Sequence, residues 1–352
     1  MKYTFVFLAL GIVMQTVSPG QESPVELEEF IYEKAPYKSC HAPTLAQTET
    51  GLAAAWFGGT HEKHMDVEIW FSKKQEGTWK APASVANGIV KDKRFPCWNP
   101  VLFFTSDKTL YLFYKVGPSP SEWWGMMKYS TDDGKSWSNE VRLPEGILGP
   151  IKNKPVLIDN KVLLCPSSTE HNGWKVQMEF FYLNKKNWDM PVKIDPSSAF
   201  NAIQPTILKH KNGSLQILCR SKEGYIVTST SQDQGKTWND LRPTSLPNPN
   251  SGIDAITLKN GRHLLVYNHT GTPKGKWGGN RYPLNIALSD NGINWNASIV
   301  LEQEEGEYSY PAVIQSNDGK VHVIYTWKRL KIKHVVLDII LLPEYDIDIW
   351  NQ

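Results

Sequence analysis

An excess charge of either sign is what this sequence most plainly lacks. Its 38 Lys and Arg nearly balance 36 Asp and Glu, for a net charge of +2. That balance removes the electrostatic case for a nucleic-acid partner or a polybasic membrane anchor. Long apolar runs are also missing. Tyr3 to Val13 is too short to span a bilayer, and no later segment approaches the ~20 residues a span needs. Cysteine is sparse, and Cys40, Cys97, Cys165 and Cys219 stand apart, none at zinc-ligand spacing from another Cys or a His. No metal site and no cofactor motif is read here, and four separate buried thiols are expected in place of a disulfide frame.

Residues that turn and stiffen a chain are abundant: 23 Pro and 25 Gly, beside 14 Trp and 14 Tyr. That mixture suits an all-β protein of short strands and tight turns. Lys2, the apolar run to Val13 and Ser18-Pro19-Gly20 together read as a signal peptide over residues 1–20. A single domain over 21–352 and a secreted or periplasmic location follow as expectations. The sequons at Asn212, Asn268 and Asn296 matter only in a host that glycosylates them.

An internal repeat sets the architecture. Ser130-Thr131-Asp132-Asp133-Gly134-Lys135-Ser136-Trp137 and Ser231-Gln232-Asp233-Gln234-Gly235-Lys236-Thr237-Trp238 share one pattern, and Leu288 to Trp295 is a third copy. Gly77-Thr78-Trp79 and Lys186-Asn187-Trp188 end two degenerate copies. The terminal Trp residues recur roughly every 50–58 positions, room for a four-stranded antiparallel unit each time. Within each box Asp accepts turn amides, Gly takes a positive φ, and Trp covers the edge between units. A sixth unit around 312–327 lacks the box, and Val335 to Leu342 is expected to close the ring beside Val25 to Tyr32. The predicted fold is an all-β, six-bladed β-propeller.

Inner strands of such a ring converge on one axial pocket. Polar groups beside Pro or aromatic residues mark it blade by blade: His41, Trp98 and Asn99, Lys115, Lys154, Glu170, Gln204, Asn250, Asp254, Tyr308 and Tyr310. Each has a plainer role open to it, as a core histidine, a packing Trp, a solvated Lys or a turn former. Arg220 ends the apolar run Leu215 to Cys219, where a buried guanidinium requires a partner.

The boxes resemble those of the sialidase (neuraminidase) superfamily, in its BNR/Asp-box, sialidase-like branch, over about residues 35–340. The resemblance implies a set of site positions. The family's first Arg, in Arg-Ile-Pro, corresponds to His41 in His41-Ala42-Pro43. Its Glu ahead of a central Arg corresponds to Gln204, with Arg220 as that Arg. Arg281 takes the third Arg position, Tyr310 the nucleophilic Tyr, and Asp66, with Glu62 nearby, the acid/base Asp. His41 and Gln204 depart from the family pattern, and a Gln cannot take the proton of a Tyr.

Those departures shape the expected chemistry. The leading expectation is β-elimination on a uronic-acid residue of an oligosaccharide, as a lyase or dehydratase. Arg220 and Arg281 would hold the carboxylate, and His41 and Tyr310 would move protons, with Tyr308 and Asp66 as further catalytic candidates. An exo-acting glycoside hydrolase is the alternative, and a non-catalytic glycan-binding propeller a second. In every case the partner is an acidic oligosaccharide.

Overall fold

Strands buried on both faces alternate with strands that face water, as in a ring of sheets standing side by side. The computed structural model describes residues 22–197 and 199–351; the expected signal peptide lies outside them. Six antiparallel sheets of four or five strands form the blades, and Ile89–Val90 with Lys93–Arg94 adds a small hairpin. Blade 1 runs outward from Ser39–Thr48 through Gly51–Gly59 to Glu68–Gln75, and blade 2 from Cys97–Phe104 through Leu110–Val116 to Trp124–Ser130 and Val141–Arg142. Blade 3 is built on Val156–Ile158, Val162–Thr169 and Lys175–Tyr182. Blade 4 runs from Ala202–Lys209 through Leu215–Ser221 and Tyr225–Ser231 to Arg242–Pro247. Blade 5 starts at Asp254–Thr257 and continues through His263–Tyr267, Leu284–Ser289 and Asn296–Glu302. In blade 2, Leu110–Val116 is buried throughout, whereas Val141–Arg142 is exposed.

Blade 6 is assembled from both ends of the described chain. Tyr308–Gln315, Val321–Trp327 and Lys331–Leu337 supply three strands, and Val25–Phe30 pairs antiparallel with the third. The closing strand begins earlier than the sequence suggests and stops at Leu337. There Asp338 turns the chain, its Oδ1 accepting the amide of Ile340 at 2.9 Å.

The boxes are hairpin turns. In blade 2 the Ser130 hydroxyl accepts the Gly134 amide at 2.8 Å, and Asp132 accepts the Ser136 amide at 2.8 Å. In blade 4 Ser231 and Asp233 repeat both bonds. Gly235 sits at φ 90°, and a Cβ there would lie 2.6 Å from Leu164 of blade 3, so the turn packs on the preceding blade. Trp137 meets Phe71 of blade 1 edge-on at 5.4 Å, the edge-covering role the repeat predicts. The third copy is one residue tighter. Asn291 accepts the amides of Ile293 and Asn294, while Asp290 pairs with Arg262.

Four inner strands carry the same device. Ala42-Pro43, Asn99-Pro100, Gln204-Pro205 and Tyr310-Pro311 each lie at a β-bulge, and the residue before each Pro has a positive φ of 52°, 36°, 55° and 54° respectively. Pro lacks the N–H that a ladder would use, which suits it to a bulge. A left-handed non-glycine residue costs about 1–3 kcal/mol and persists where its surroundings impose it, often at functional sites. Each bulge breaks the in-and-out alternation of its strand, and those in blades 4 and 6 carry Gln204 and Tyr310.

Candidate active site

Tyr310 is the hub. Its phenol oxygen accepts Arg220 Nη1 at 2.7 Å and faces Gln204 Nε2 at 3.4 Å. Arg220 is almost fully buried at the end of its strand; its Nε donates to Asn250 Oδ1 at 3.0 Å and its Nη1 reaches Gln204 Oε1 at 3.3 Å. The partner the sequence demands for this guanidinium is thus a set of neutral oxygens. No carboxylate touches the phenol among the described residues. Gly252 leaves room for the ring, since a Cβ there would sit 3.1 Å from it.

His41 packs against Tyr310 with ring centres 4.1 Å apart, and its Nδ1 bonds Thr326 Oγ1 at 2.9 Å. Among the described residues no protein group bonds its Nε2. Burial, followed by the charges of Arg329, Arg281, Arg220 and Lys152, holds the imidazole well below its ordinary pKa. It is therefore neutral at neutral pH.

A second cation cluster adjoins this hub. Arg281 lies 5.8 Å from the Tyr310 ring and pairs with Glu307 at 2.8 Å. Arg329 donates to the same Glu307 oxygen at 2.7 Å and to Glu62 at 2.8 Å. Burial pushes Glu307 up, but Arg281 and Arg329 hold it below the usual carboxylate range. Three guanidinium groups thus surround Tyr310 and His41. Arg329 escapes sequence reasoning because no motif marks its hairpin; its charge is the first among the cations acting on His41.

The acid candidates separate by environment. Asp66 is spent on its own loop: partial burial raises it, but Thr60 and His64 outweigh that and hold it at about 2. In the ligand-free chain it is therefore held ionised by its own loop. Burial raises Glu170 above its ordinary value, against the opposing charge of Arg220 and a bond to Trp174. Glu170 is the better acid. Trp174 and Trp277 approach the Arg220 guanidinium at 5.2 and 5.9 Å, and Trp277 is 61% exposed, an open aromatic face beside the site. Trp277, held between Lys276 and two glycines, is a further residue missed from sequence.

Other candidates serve the frame. Lys115 is fully enclosed, its ammonium bonded to the carbonyls of Pro150 and Ile151, and burial brings it down to about 7. It cannot reach a substrate. Lys154 pairs with buried Asp254 at 2.8 Å, and Asp254 also accepts Thr206 Oγ1 and the Val313 amide, tying blades 4, 5 and 6 together. Trp98 is buried with its indole N–H on the Gly117 carbonyl, and Asn99 is buried at its bulge. Tyr308 is a core residue, 1% exposed, and not a catalytic one. Asn250 supports the site from behind, bonding Arg220 on one side and the Trp277 carbonyl on the other. The four cysteines are buried and unbridged.

Comparison with known proteins places this geometry in context. The BNR repeat-like domain pattern matches residues 50–323. An anhydrosialidase of Macrobdella decora is 24% identical over 249 residues, covering 63% of this chain and 32% of that protein. A sialidase of Bacteroides fragilis is 22% identical over 233 residues, covering 59% of this chain and 41% of its own. The chain thus spans less than half the length of either relative. A point mutant (K499G) of the NanB sialidase of Streptococcus pneumoniae superposes with a TM-score of 0.71 at 12% identity, over 91% of this chain and 71% of that one.

Proposed function

The chain belongs to the BNR repeat-like domain family, within the sialidase-like superfamily, and from that premise we propose that its axial site is a carbohydrate-active centre for a terminal acidic sugar, acting by β-elimination on a uronate. One observation carries the reading: Arg220 bonds the Tyr310 phenol and Arg281 lies by its ring, Arg329 joins Arg281 on Glu307, and among the described residues the phenol oxygen has a guanidinium and an amide as neighbours and no carboxylate.

The chemistry follows from those groups. The guanidiniums hold the sugar carboxylate and stabilise the charge that develops as carbon 5 loses its proton. His41 Nε2 takes that proton. The bond from carbon 4 to its oxygen breaks, the electron pair leaves on that oxygen, and Tyr310 protonates it, leaving a carbon 4–carbon 5 double bond. A bound carboxylate also offsets the cations that depress His41, so the imidazole becomes a better base when substrate is present. Water leaves in a dehydratase, another sugar in a lyase.

Hydrolysis is the second reading. The raised pKa of Glu170 supports it, as does the likeness to proteins named sialidases. There Glu170 protonates the departing oxygen while Tyr310 attacks the anomeric carbon and His41 takes the phenol proton; water then attacks that carbon, giving its proton to Glu170, and the sugar–Tyr310 bond breaks as His41 returns the proton to the phenol. The signal-peptide reading of residues 1–20 supports action outside the cytoplasm.

The test is to incubate the protein with acidic oligosaccharides while following unsaturated-uronate absorbance and new reducing ends. Unsaturation with new reducing ends supports a lyase, and unsaturation alone a dehydratase. Reducing ends alone overturn elimination in favour of hydrolysis, and binding without either product overturns both.

A further inference from the structure

Beside the axial site, blades 2 and 3 enclose a cleft of about 420 Å³, within the usual ~300–1,000 Å³ of small-ligand pockets. Trp123 and Trp124 form one wall, the segment from Arg142 to Leu148 another, and Thr169, Glu170 and His171 the side nearest the axis. We propose that this cleft binds the next sugar of the substrate chain, the unit on the far side of the bond broken at Tyr310. This inference rests on the acidic-glycan reading above and extends it from a one-sugar site to a two-sugar site.

Continuity is the first support. Glu170 lines the cleft and also lies within the field of Arg220, with a bond to Trp174. A group that serves the departing oxygen must stand between the sugar that keeps the carboxylate and the sugar that leaves. Glu170, the acid of the hydrolytic reading, lines the cleft and bonds Trp174, whose ring lies 5.2 Å from the Arg220 guanidinium, and so stands between the two.

The cleft is also built in advance. Its wall from Pro144 to Gly149 is pinned from beneath by Glu179, a fully buried carboxylate that accepts the amides of Leu148 at 3.1 Å and Gly149 at 2.6 Å. Ser167 and Gln177 supply further donors to Glu179, at 2.8 Å each. Gly125 lets the same wall press on its strand, since a Cβ there would stand 2.7 Å from Leu143 and 2.9 Å from the Ile147 carbonyl. Across the cleft, His171 reaches the Ser121 carbonyl at 3.3 Å and joins the two blades.

The lining chemistry suits a sugar ring. Arg142 stacks on half-buried Trp124 at 4.8 Å, which fixes an exposed cation on an aromatic support. Glu122, Glu145 and Glu170 can accept hydroxyl donors, while Arg142 and His171 can donate to hydroxyl or carboxylate oxygens. An aromatic wall with a few convergent polar groups is the usual build of a small-ligand site.

Titration calorimetry with size-graded probes tests the inference: galacturonate against di- and trigalacturonate, and N-acetylneuraminate against 3′-sialyllactose. In whichever series the monosaccharide binds, adding one sugar is expected to tighten Kd about tenfold. Arg142→Ala with His171→Ala should erase that gain and leave monosaccharide affinity unchanged; His171→Ala alone, at an exposed position, should give part of the loss should the double variant fold poorly. Arg220→Lys should weaken every probe. Equal affinity for monosaccharide and oligosaccharide, or equal weakening of both in the double variant, overturns the second subsite alone. Failure of every monosaccharide to bind overturns the acidic-sugar reading, and the subsite with it.

Discussion

From the segment leading into blade 3, the buried ammonium of Lys152 crosses the propeller axis to the carbonyl of Pro311 in blade 6. It also donates to Asn153 Oδ1 and the Ile253 carbonyl, each at 2.8 Å, and lies 5.9 Å from the Tyr310 ring. Pro311 follows the strained Tyr310, so this bond clamps the bulge that aims the phenol. Burial brings Lys152 down to about 7 from its ordinary 10.5. Its contribution to folding is therefore complete above the ordinary value and is lost as pH falls toward 7, because the unfolded chain binds the proton more readily. Lys152→Met should cost about 1–3 kcal/mol through unsatisfied carbonyls. Its deficit relative to the parent should widen between pH 7 and roughly pH 10. Denaturant unfolding of both proteins across that range checks the slope; a deficit that shrinks with pH would contradict it.

Gln204 controls which chemistry the phenol can perform. Gln204→Glu would place a carboxylate beside Tyr310, where the wild-type amide stands 3.4 Å away. The variant should release free sialic acid from 3′-sialyllactose, while the parent releases none. Parent activity equal to the variant's would show that Tyr310 is activated without a carboxylate.

Glu170→Gln separates the two readings: under hydrolysis, where Glu170 is the acid, it should lower kcat about 100-fold or more with little change in KM, the usual scale for removing a general acid, whereas under elimination, where Tyr310 is the acid, kcat should stay close to the parent's. Because burial raises Glu170, its protonated form persists to higher pH than that of an ordinary carboxyl group. A hydrolytic activity should therefore fall as pH rises past that shifted value, and this limb should disappear in the variant. A pH–rate profile of both proteins decides the matter.

Arg329→Ala removes one guanidinium from the cradle, leaving Glu307 to Arg281 alone and freeing Glu62. Affinity for an acidic monosaccharide should fall by about 10–100-fold, since hydrogen bonds between charged groups contribute about 1.5–3 kcal/mol. A neutral sugar's affinity should not change. Equal loss for charged and neutral probes would mean that Arg329 only shapes the hairpin.

Two glycines separate packing from backbone preference. Gly235 and Gly213 have similar φ, 90° and 85°, but a Cβ at Gly235 meets Leu164 at 2.6 Å whereas Gly213 has open space. Gly235→Ala should destabilise the protein by about 1–3 kcal/mol more than Gly213→Ala, through overpacking. Thermal melting of the pair provides the comparison.

What was legible in the sequence was mostly local. The Ser-Asp-Gly turns write their hydrogen bonds into consecutive residues, so the ring and its blades could be read in order. Family positions also marked Arg220, Tyr310, Gln204 and His41, and the fold brings those four side chains together. Lys115 and Asp254 did not read correctly. A polar residue on an inner strand looks the same in sequence whether it faces substrate or binds the neighbouring blade's carbonyls. Arg329 and Trp277 lie on irregular segments, and their roles depend on contacts with Glu307 and Arg220, which no spacing rule reveals. The bonds of Asp66 to Thr60 and His64, its own loop neighbours, could not be read from the sequence either.

The pairing of Val25–Phe30 with Lys331–Leu337 has a kinetic consequence. The outermost strand of blade 6 is made about three hundred residues before its partner. Until then the early strand is an unpaired edge, open to pairing with another copy of itself. Contacts so distant along the chain form late and slow the folding of β-rich proteins. Ring closure should therefore be the step most exposed to aggregation, and a chaperone that shelters Val25–Phe30 would act at that step.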